Sequence, residues 1–262
     1  MIEIIKPLML VSARIAMQHY GKLNKVHYKA DNSPLTDADL EIDQLIHQTL
    51  SDEFPDIALI TEENSESHKV LPKESSYFLV DPIDGTKEFV NQRDEFTVNI
   101  GLIENGEPVL GAVCVPAKQQ LFIGSRSNGA FVYQFDMTSD TIGAGKKLVP
   151  ATPDNRALKI VASRSHLCQN TRDFIEANEV GNLVNAGSSL KFCLLASGAA
   201  DLYPRYGPTM EWDTAAGHAV LMAAGGRVDD LTGEPLQYGK EGLLNGIFIA
   251  HNPGVKFKIP KT

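Results

Sequence analysis

An apolar run that leads straight into acids constrains this chain more than any other feature. Tyr77-Phe78-Leu79-Val80 is continuous in apolar side chains and predicts a buried strand. It runs into Asp81-Pro82-Ile83-Asp84-Gly85-Thr86. Pro82 has no amide hydrogen for a ladder, so regular pairing is expected to stop there, with both acids at the strand end. Gly85 allows a sharp turn or a close approach, and Thr86 predicts the start of a helix. Two carboxylates at a strand end beside a helix start set a cation site against an anion site. Phosphate-ester chemistry assisted by a hard metal uses that combination. Taken alone, such a fragment is more often a simple turn, because Pro and Asp-Gly are ordinary turn residues. Other parts of the chain must supply the missing pieces.

Further acids stand in similar settings. Ile57 to Ile60 predicts a short strand that ends at Thr61-Glu62-Glu63. Thr36 with Asp39 resembles a capping box, and Ile42, Leu45, Ile46, Thr49 and Leu50 follow at helical spacing. Asp213, in Glu211-Trp212-Asp213-Thr214-Ala215-Ala216-Gly217, falls at the expected N-cap of the last long helix. Capping alone would account for it, although a carboxylate has two oxygens and can serve a cap and a cation together. Glu62, Asp81, Asp84 and Asp213, with the carbonyl of Ile83, are the candidate ligands of a hard divalent cation. Gathered without one they would repel, and some would take up protons. Asp37 lies in the first turn of the second helix, where a negative charge is favourable for structural reasons alone.

Around these motifs the elements divide the chain. Residues 2–20 predict an amphipathic helix, with Pro7 acceptable only in its first turn, and 21–35 a loop or ragged hairpin. Strands at 97–103, 109–115, 121–123 and 130–135 form a β-rich block. Residues 136–157 read as a connection between halves, taken as 1–136 and 137–262. The second half alternates: strands at 158–162, 183–184, 201–203 and 247–250, helices at 168–178, 190–197 and 214–224. No apolar run approaches membrane-spanning length, and the N-terminus lacks the pattern of a signal peptide, so a cytoplasmic protein is expected. Cys114, Cys168 and Cys193 show no zinc spacing and are expected as reduced thiols. A net charge of −9 argues against binding a nucleic-acid polymer, but not against a small anion held through bound cations.

Taken together and in order, these stretches resemble the inositol monophosphatase superfamily of lithium-sensitive, Mg²⁺-dependent phosphatases. The matching segments are Ser33-Pro34-Leu35-Thr36-Asp37-Ala38-Asp39, Thr61-Glu62-Glu63, Asp81 to Thr86, and Trp212 to Gly217. Thr86-Lys87-Glu88-Phe89 is most similar to the branch of bacterial 3′(2′),5′-bisphosphate nucleotidases. The resemblance implies a layered αβαβα sandwich of the sugar-phosphatase type, an α+β first half and an α/β second half, with the site in the cleft between them. It implies two or three Mg²⁺ ions on Glu62, Asp81, Ile83, Asp84 and Asp213. It implies Asp37 with Thr86 as the pair that activates water, and the amides of Gly85 and Thr86 as phosphate holders. The implied substrate is adenosine 3′,5′-bisphosphate, which loses its 3′-phosphate, with the corresponding phosphosulfate as a second candidate. Its nucleotide end would meet His166, Ser188, Lys191 and Arg205, with Asp213 nearby, although a lone basic residue is more often solvated surface charge. Inositol or sugar monophosphates are the alternative substrates, and a non-catalytic metal-binding module is the alternative of another class. Some members associate with the inner membrane face, so any such contact would be peripheral. The chain is expected as a monomer or a dimer.

Overall fold

The computed structural model describes residues 1–22, 26–29, 34–69, 76–163 and 168–260. The chain opens with α1 (Ile2–His19), the antiparallel pair β1 (His27–Tyr28) and β2 (Pro34–Leu35), and α2 (Asp37–Glu53). There follow β3 (Ala58–Thr61), β4 (Tyr77–Asp84), α3 (Thr86–Val90), β5 (Thr97–Glu104), β6 (Glu107–Val115), β7 (Gln120–Ser125) and β8 (Gly129–Asp136). Two short strands, β9 (Thr141–Ile142) and β10 (Lys146–Lys147), pair back onto β8 and carry this sheet to Lys147. The rest alternates through β11 (Leu158–Ser163), α4 (Gln169–Glu176), β12 (Val180–Ala186), α5 (Leu190–Ala196), β13 (Leu202–Arg205), α6 (Ala215–Ala224), β14 (Arg227–Asp229) and β15 (Phe248–His251).

The apolar faces of these elements decide how they stack. Ile5 and Met9 of α1 and Ile42 and Ile46 of α2 pack with Phe78, Val98 and Ile100 on one face of the first sheet. The other face of that sheet, through Val113 and Phe122, shares a core with Phe192 of α5, Val220 of α6, and Tyr203 and Phe248 of the second sheet. Phe174 of α4 closes the outer face of the second sheet over Leu158, Ile160, Leu202 and Ile249. The result is the expected order of layers: helices, sheet, helices, sheet, helix. Strand order is β10-β8-β7-β6-β5-β4-β3 in the first sheet and β12-β11-β13-β15-β14 in the second.

Three local expectations change. Pro7 lies inside α1, past the first turn; it removes one intrahelical bond, and the buried Ile5, Leu8 and Met9 around it hold the helix in place. The strand does not stop at Pro82. β4 runs on to Asp84 with a register shift, because Asp81 pairs with Asn99 while Asp84 pairs with Thr97. Three steps along β4 thus face two along β5, so the proline sits in a bulge. β14 is an addition that three residues are too few to announce by periodicity. All three cysteines are free thiols, and among the described residues no helix is long and apolar enough to cross a membrane.

Contact between α6 and the first sheet positions the site, because the residue two places before α6 is Asp213. That contact requires a strand without a side chain: a Cβ at Gly111 would overlap the carbonyl of Ala216. Gly111→Ala is therefore expected to destabilise the protein by about 1–3 kcal/mol in chemical denaturation, as overpacking does. Gly246→Ala, which meets nothing within 4 Å, is expected to change stability by less than about 0.5 kcal/mol.

Candidate active site

The ends of β3 and β4 and the approach to α6 converge on a cavity of about 290 Å³. Glu62, Asp81, Ile83, Asp84, Gly85, Thr86 and Asp213 line it together with Ser188, Lys191 and Arg205. β3 and β4 are parallel neighbours, which is why their acidic ends emerge side by side. Gly85 makes the turn into α3 at φ +87°, and a Cβ there would overlap the Ser188 hydroxyl.

The acids are engaged in different ways. Glu62 accepts from the Lys29 ammonium at 2.7 Å, and Glu63 accepts from it at 2.8 Å. Asp84 Oδ2 accepts from the Ser189 amide at 2.6 Å. Asp213 Oδ2 accepts from the Met210 amide at 2.8 Å. Asp213 is not the cap of α6, as expected from sequence; Thr214 occupies that position and Asp213 precedes it. Asp81 is buried, and its Oδ1 has no hydrogen-bond partner among the described residues. Burial, then Glu62, Asp84 and Asp213, push the Asp81 carboxyl well above the usual range. Burial, then Asp84 and Glu62, do the same to Asp213. Asp84 rises to about 6 through burial, opposed chiefly by the Lys191 ammonium and the Ser189 amide. Burial draws Lys29 down, but Glu62 and Glu63 outweigh it and raise its ammonium overall.

Among the described residues no three acids already close around one point, and protein donors engage several of them instead. The donor set nevertheless fits a hard divalent cation. Every candidate ligand is an oxygen, one buried carboxylate oxygen is orphaned, and the mutual repulsion is of the kind a cation relieves.

The acid beside Thr86 is Asp39, not Asp37. Thr86 Oγ1 donates to Asp39 Oδ1 at 3.4 Å and to the Ile83 carbonyl at 3.1 Å. Residues two apart on a helix point about 200° away from each other, so only one of this pair can face Thr86. Asp39 does so because its Oδ2 closes the capping box, accepting from the Thr36 amide at 2.8 Å and the Thr36 hydroxyl at 2.5 Å. Asp37 faces solvent with its side chain 61% exposed, 3.8 Å from His27. Burial lifts Asp39 to about 6 against the two Thr36 hydrogen bonds.

Lys191 brings a buried cation into the same cavity. It is only 5% exposed, donates to the Ser188 carbonyl at 2.6 Å and lies over the Tyr203 ring. Burial lowers its ammonium to about 8, with Asp84 working the other way. Arg205 donates to the carbonyls of Gly207 and Pro208, which fixes the turn beneath its guanidinium. His166 lies outside the described residues. Sequence reasoning missed Lys29, which it treated as a loop charge, since only tertiary contact shows its pairing with Glu62 and Glu63. It also missed Asp39 as the acid of the Thr86 pair, although the capping box contained the signal.

The model of the inositol monophosphatase family matches residues 1–253. The chain is 43% identical over 217 residues to the 3′(2′),5′-bisphosphate nucleotidase CysQ of Buchnera aphidicola, covering 83% of this chain and 78% of that protein. It is 41% identical to the CysQ of Escherichia coli K12, over 83% of this chain and 85% of that one. The crystal structure of CysQ from Bacteroides thetaiotaomicron superposes with a TM-score of 0.81 at 37% identity, covering 94% of both chains. An αβαβα sandwich with acids at paired strand ends, matched over nearly its whole length, makes this chain a member of the inositol monophosphatase family.

Proposed function

We propose that the chain is a Mg²⁺-dependent 3′(2′),5′-bisphosphate nucleotidase that hydrolyses the 3′-phosphate of adenosine 3′,5′-bisphosphate. The observation that carries this reading is one cavity lined both by the acids and by the buried Lys191 ammonium. A monophosphate needs only the acids with their cations. A second cation in the same cavity, held on the Ser188 carbonyl rather than among the candidate metal ligands, matches a second phosphate. Relatives at 41–43% identity that bear the bisphosphate nucleotidase name support the same substrate.

Glu62, Asp81, Asp84, Asp213 and the Ile83 carbonyl would hold two or three Mg²⁺ ions. What Mg²⁺ supplies when bound is a water of lowered pKa and screening of the charge that develops on the phosphate. The protein's own groups do the rest. Thr86 Oγ1 passes the proton of the attacking water to Asp39, whose raised pKa suits a proton acceptor near neutrality. The amides of Gly85 and Thr86 hold the phosphate oxygens. Lys191 holds the 5′-phosphate, with Arg205 beside it, and so fixes which ester reaches Thr86.

Phosphate release in Mg²⁺ from adenosine 3′,5′-bisphosphate and from myo-inositol 1-phosphate, at matched low concentrations, tests the substrate. At least a tenfold preference for the bisphosphate is expected, and the reverse preference overturns the reading. Lys191→Met keeps the buried volume and removes the charge. It is expected to raise KM for the bisphosphate tenfold or more while leaving hydrolysis of a monophosphate within about twofold. Asp39→Asn is expected to lower kcat by about 10²–10⁴-fold, as loss of a general base does. The folded-state value of Asp39, about 6, lies above its ordinary 3.8, so its ionised form opposes folding at neutral pH. That opposition fades as pH falls through 6. Asp39→Asn is therefore expected to melt higher than the native protein at pH 7.5, and to lose most of this advantage as pH falls from 6 to about 3.8.

A further inference from the structure

We propose that Ser189, locked by Asn99 and Thr97, is a positioning residue of the cation site: it sets the carboxylate of Asp84 through its backbone amide. The inference rests on the metal reading above but not on the identity of the substrate.

Thr97 and Asn99 project from the same face of β5, directly opposite Asp84 and Asp81 in the sheet register. Ser189 immediately precedes α5 and reaches them from the second half of the chain. All three side chains are fully buried. Ser189 Oγ donates to Asn99 Oδ1 at 2.5 Å. Asn99 Nδ2 donates to Thr97 Oγ1 at 3.3 Å. Thr97 Oγ1 and Ser189 Oγ are 2.9 Å apart. Ser189 has spent its proton on Asn99, so Thr97 must be the donor across that last contact. The three bonds then form a closed ring in which each residue donates once and accepts once.

Three polar side chains between a sheet and a helix gain little over apolar ones of the same shape. A closed ring does something apolar packing cannot: it fixes direction, because each member has one partner on each side. What it fixes is the Ser188–Ser189 turn. The Ser189 amide takes Asp84 Oδ2 at 2.6 Å, and the Ser188 hydroxyl takes the Asp84 carbonyl at 2.8 Å. Ser188 is held at φ +53°, a left-handed conformation that costs a non-glycine residue energy and persists only where surrounding contacts enforce it. With Oδ2 occupied, Oδ1 of Asp84 remains for a cation. The Ser188 carbonyl meanwhile accepts from Lys191. One two-residue turn thus holds both the Asp84 carboxylate and the Lys191 ammonium, and the ring under it sets the place of both. Partners that orient a metal ligand in this way typically contribute 10–100-fold to metal affinity.

The test measures Mn²⁺ binding to the substrate-free protein by electron paramagnetic resonance of the free ion. Ser189→Ala opens the ring and is expected to raise the Mn²⁺ dissociation constant about tenfold. Because it also leaves Asn99 Oδ1 buried without a donor, a second variant guards against loss of folding. The triple change Thr97→Val, Asn99→Leu, Ser189→Ala replaces the whole ring by apolar groups and is expected to fold yet show the same weakened binding. Asn252→Ala is the control. Asn252 is buried and donates to the carbonyls of Leu195 and Ala200 at the far end of α5, so its loss costs stability without touching the turn. Native-like Mn²⁺ affinity in Ser189→Ala or in the triple variant overturns the inference, as does an equal loss in Asn252→Ala. A native chain that binds no Mn²⁺ overturns the metal reading and this inference with it. Failure of the nucleotidase reading alone leaves the Mn²⁺ result unchanged, because the assay contains no substrate.

Discussion

Repulsion among carboxylates that face one small cavity is the constraint on which the rest of this structure depends. The carboxyls of Asp81, Asp84 and Asp213 are each pushed to a pKa above the ordinary value by burial and by neighbouring acids, Glu62 among them in every case. An arrangement of this kind costs stability unless cations or donors offset it. Here the Lys29 ammonium sits on Glu62 and Glu63, the Ser189 amide on Asp84 and the Met210 amide on Asp213. Asp81 Oδ1 receives nothing from the described residues. The unmet demand for positive charge is therefore concentrated at the centre of the cluster.

The layers exist in the form that gathers these acids. β3 and β4 run parallel, so Glu62 and Asp81 leave the sheet at the same edge. The bulge at Pro82 lets β4 carry a second acid past the first without losing its partner strand. Asp213 arrives from another part of the chain, which requires α6 to lie hard against the first sheet. Gly101, Gly111 and Gly124 make room for that approach on three neighbouring strands, each facing the backbone or methyl groups of α6. Tight packing at the centre of the molecule and the composition of the site are thus one requirement.

The proposed proton acceptor and the proposed phosphate anchor come from different layers of the same architecture. Asp39 belongs to a helix in the outer layer and Lys191 to a helix between the sheets. Burial moves both toward neutrality from opposite directions, Asp39 to about 6 and Lys191 to about 8. Between those values both are charged.

Much of this was legible in the sequence. Most of the elements followed from periodicity, apart from the short β9, β10 and β14. The acids stood at the ends of apolar runs, and the capping box of Thr36 and Asp39 was explicit. These are local properties, carried by spacing along one segment. The sequence did not distinguish Asp37 from Asp39, because two acids in one helical turn differ only in which side the helix buries. It could not assign Asp213, whose cap position one residue away belongs to Thr214. It gave Lys29, Thr97, Asn99 and Ser189 no role, because their partners lie far off in the chain and no local pattern marks them. Sequence alone determined which chemical groups were available and where each would leave its element. Only the tertiary structure decided which of them face one another, because the direction of a side chain depends on what its element is packed against.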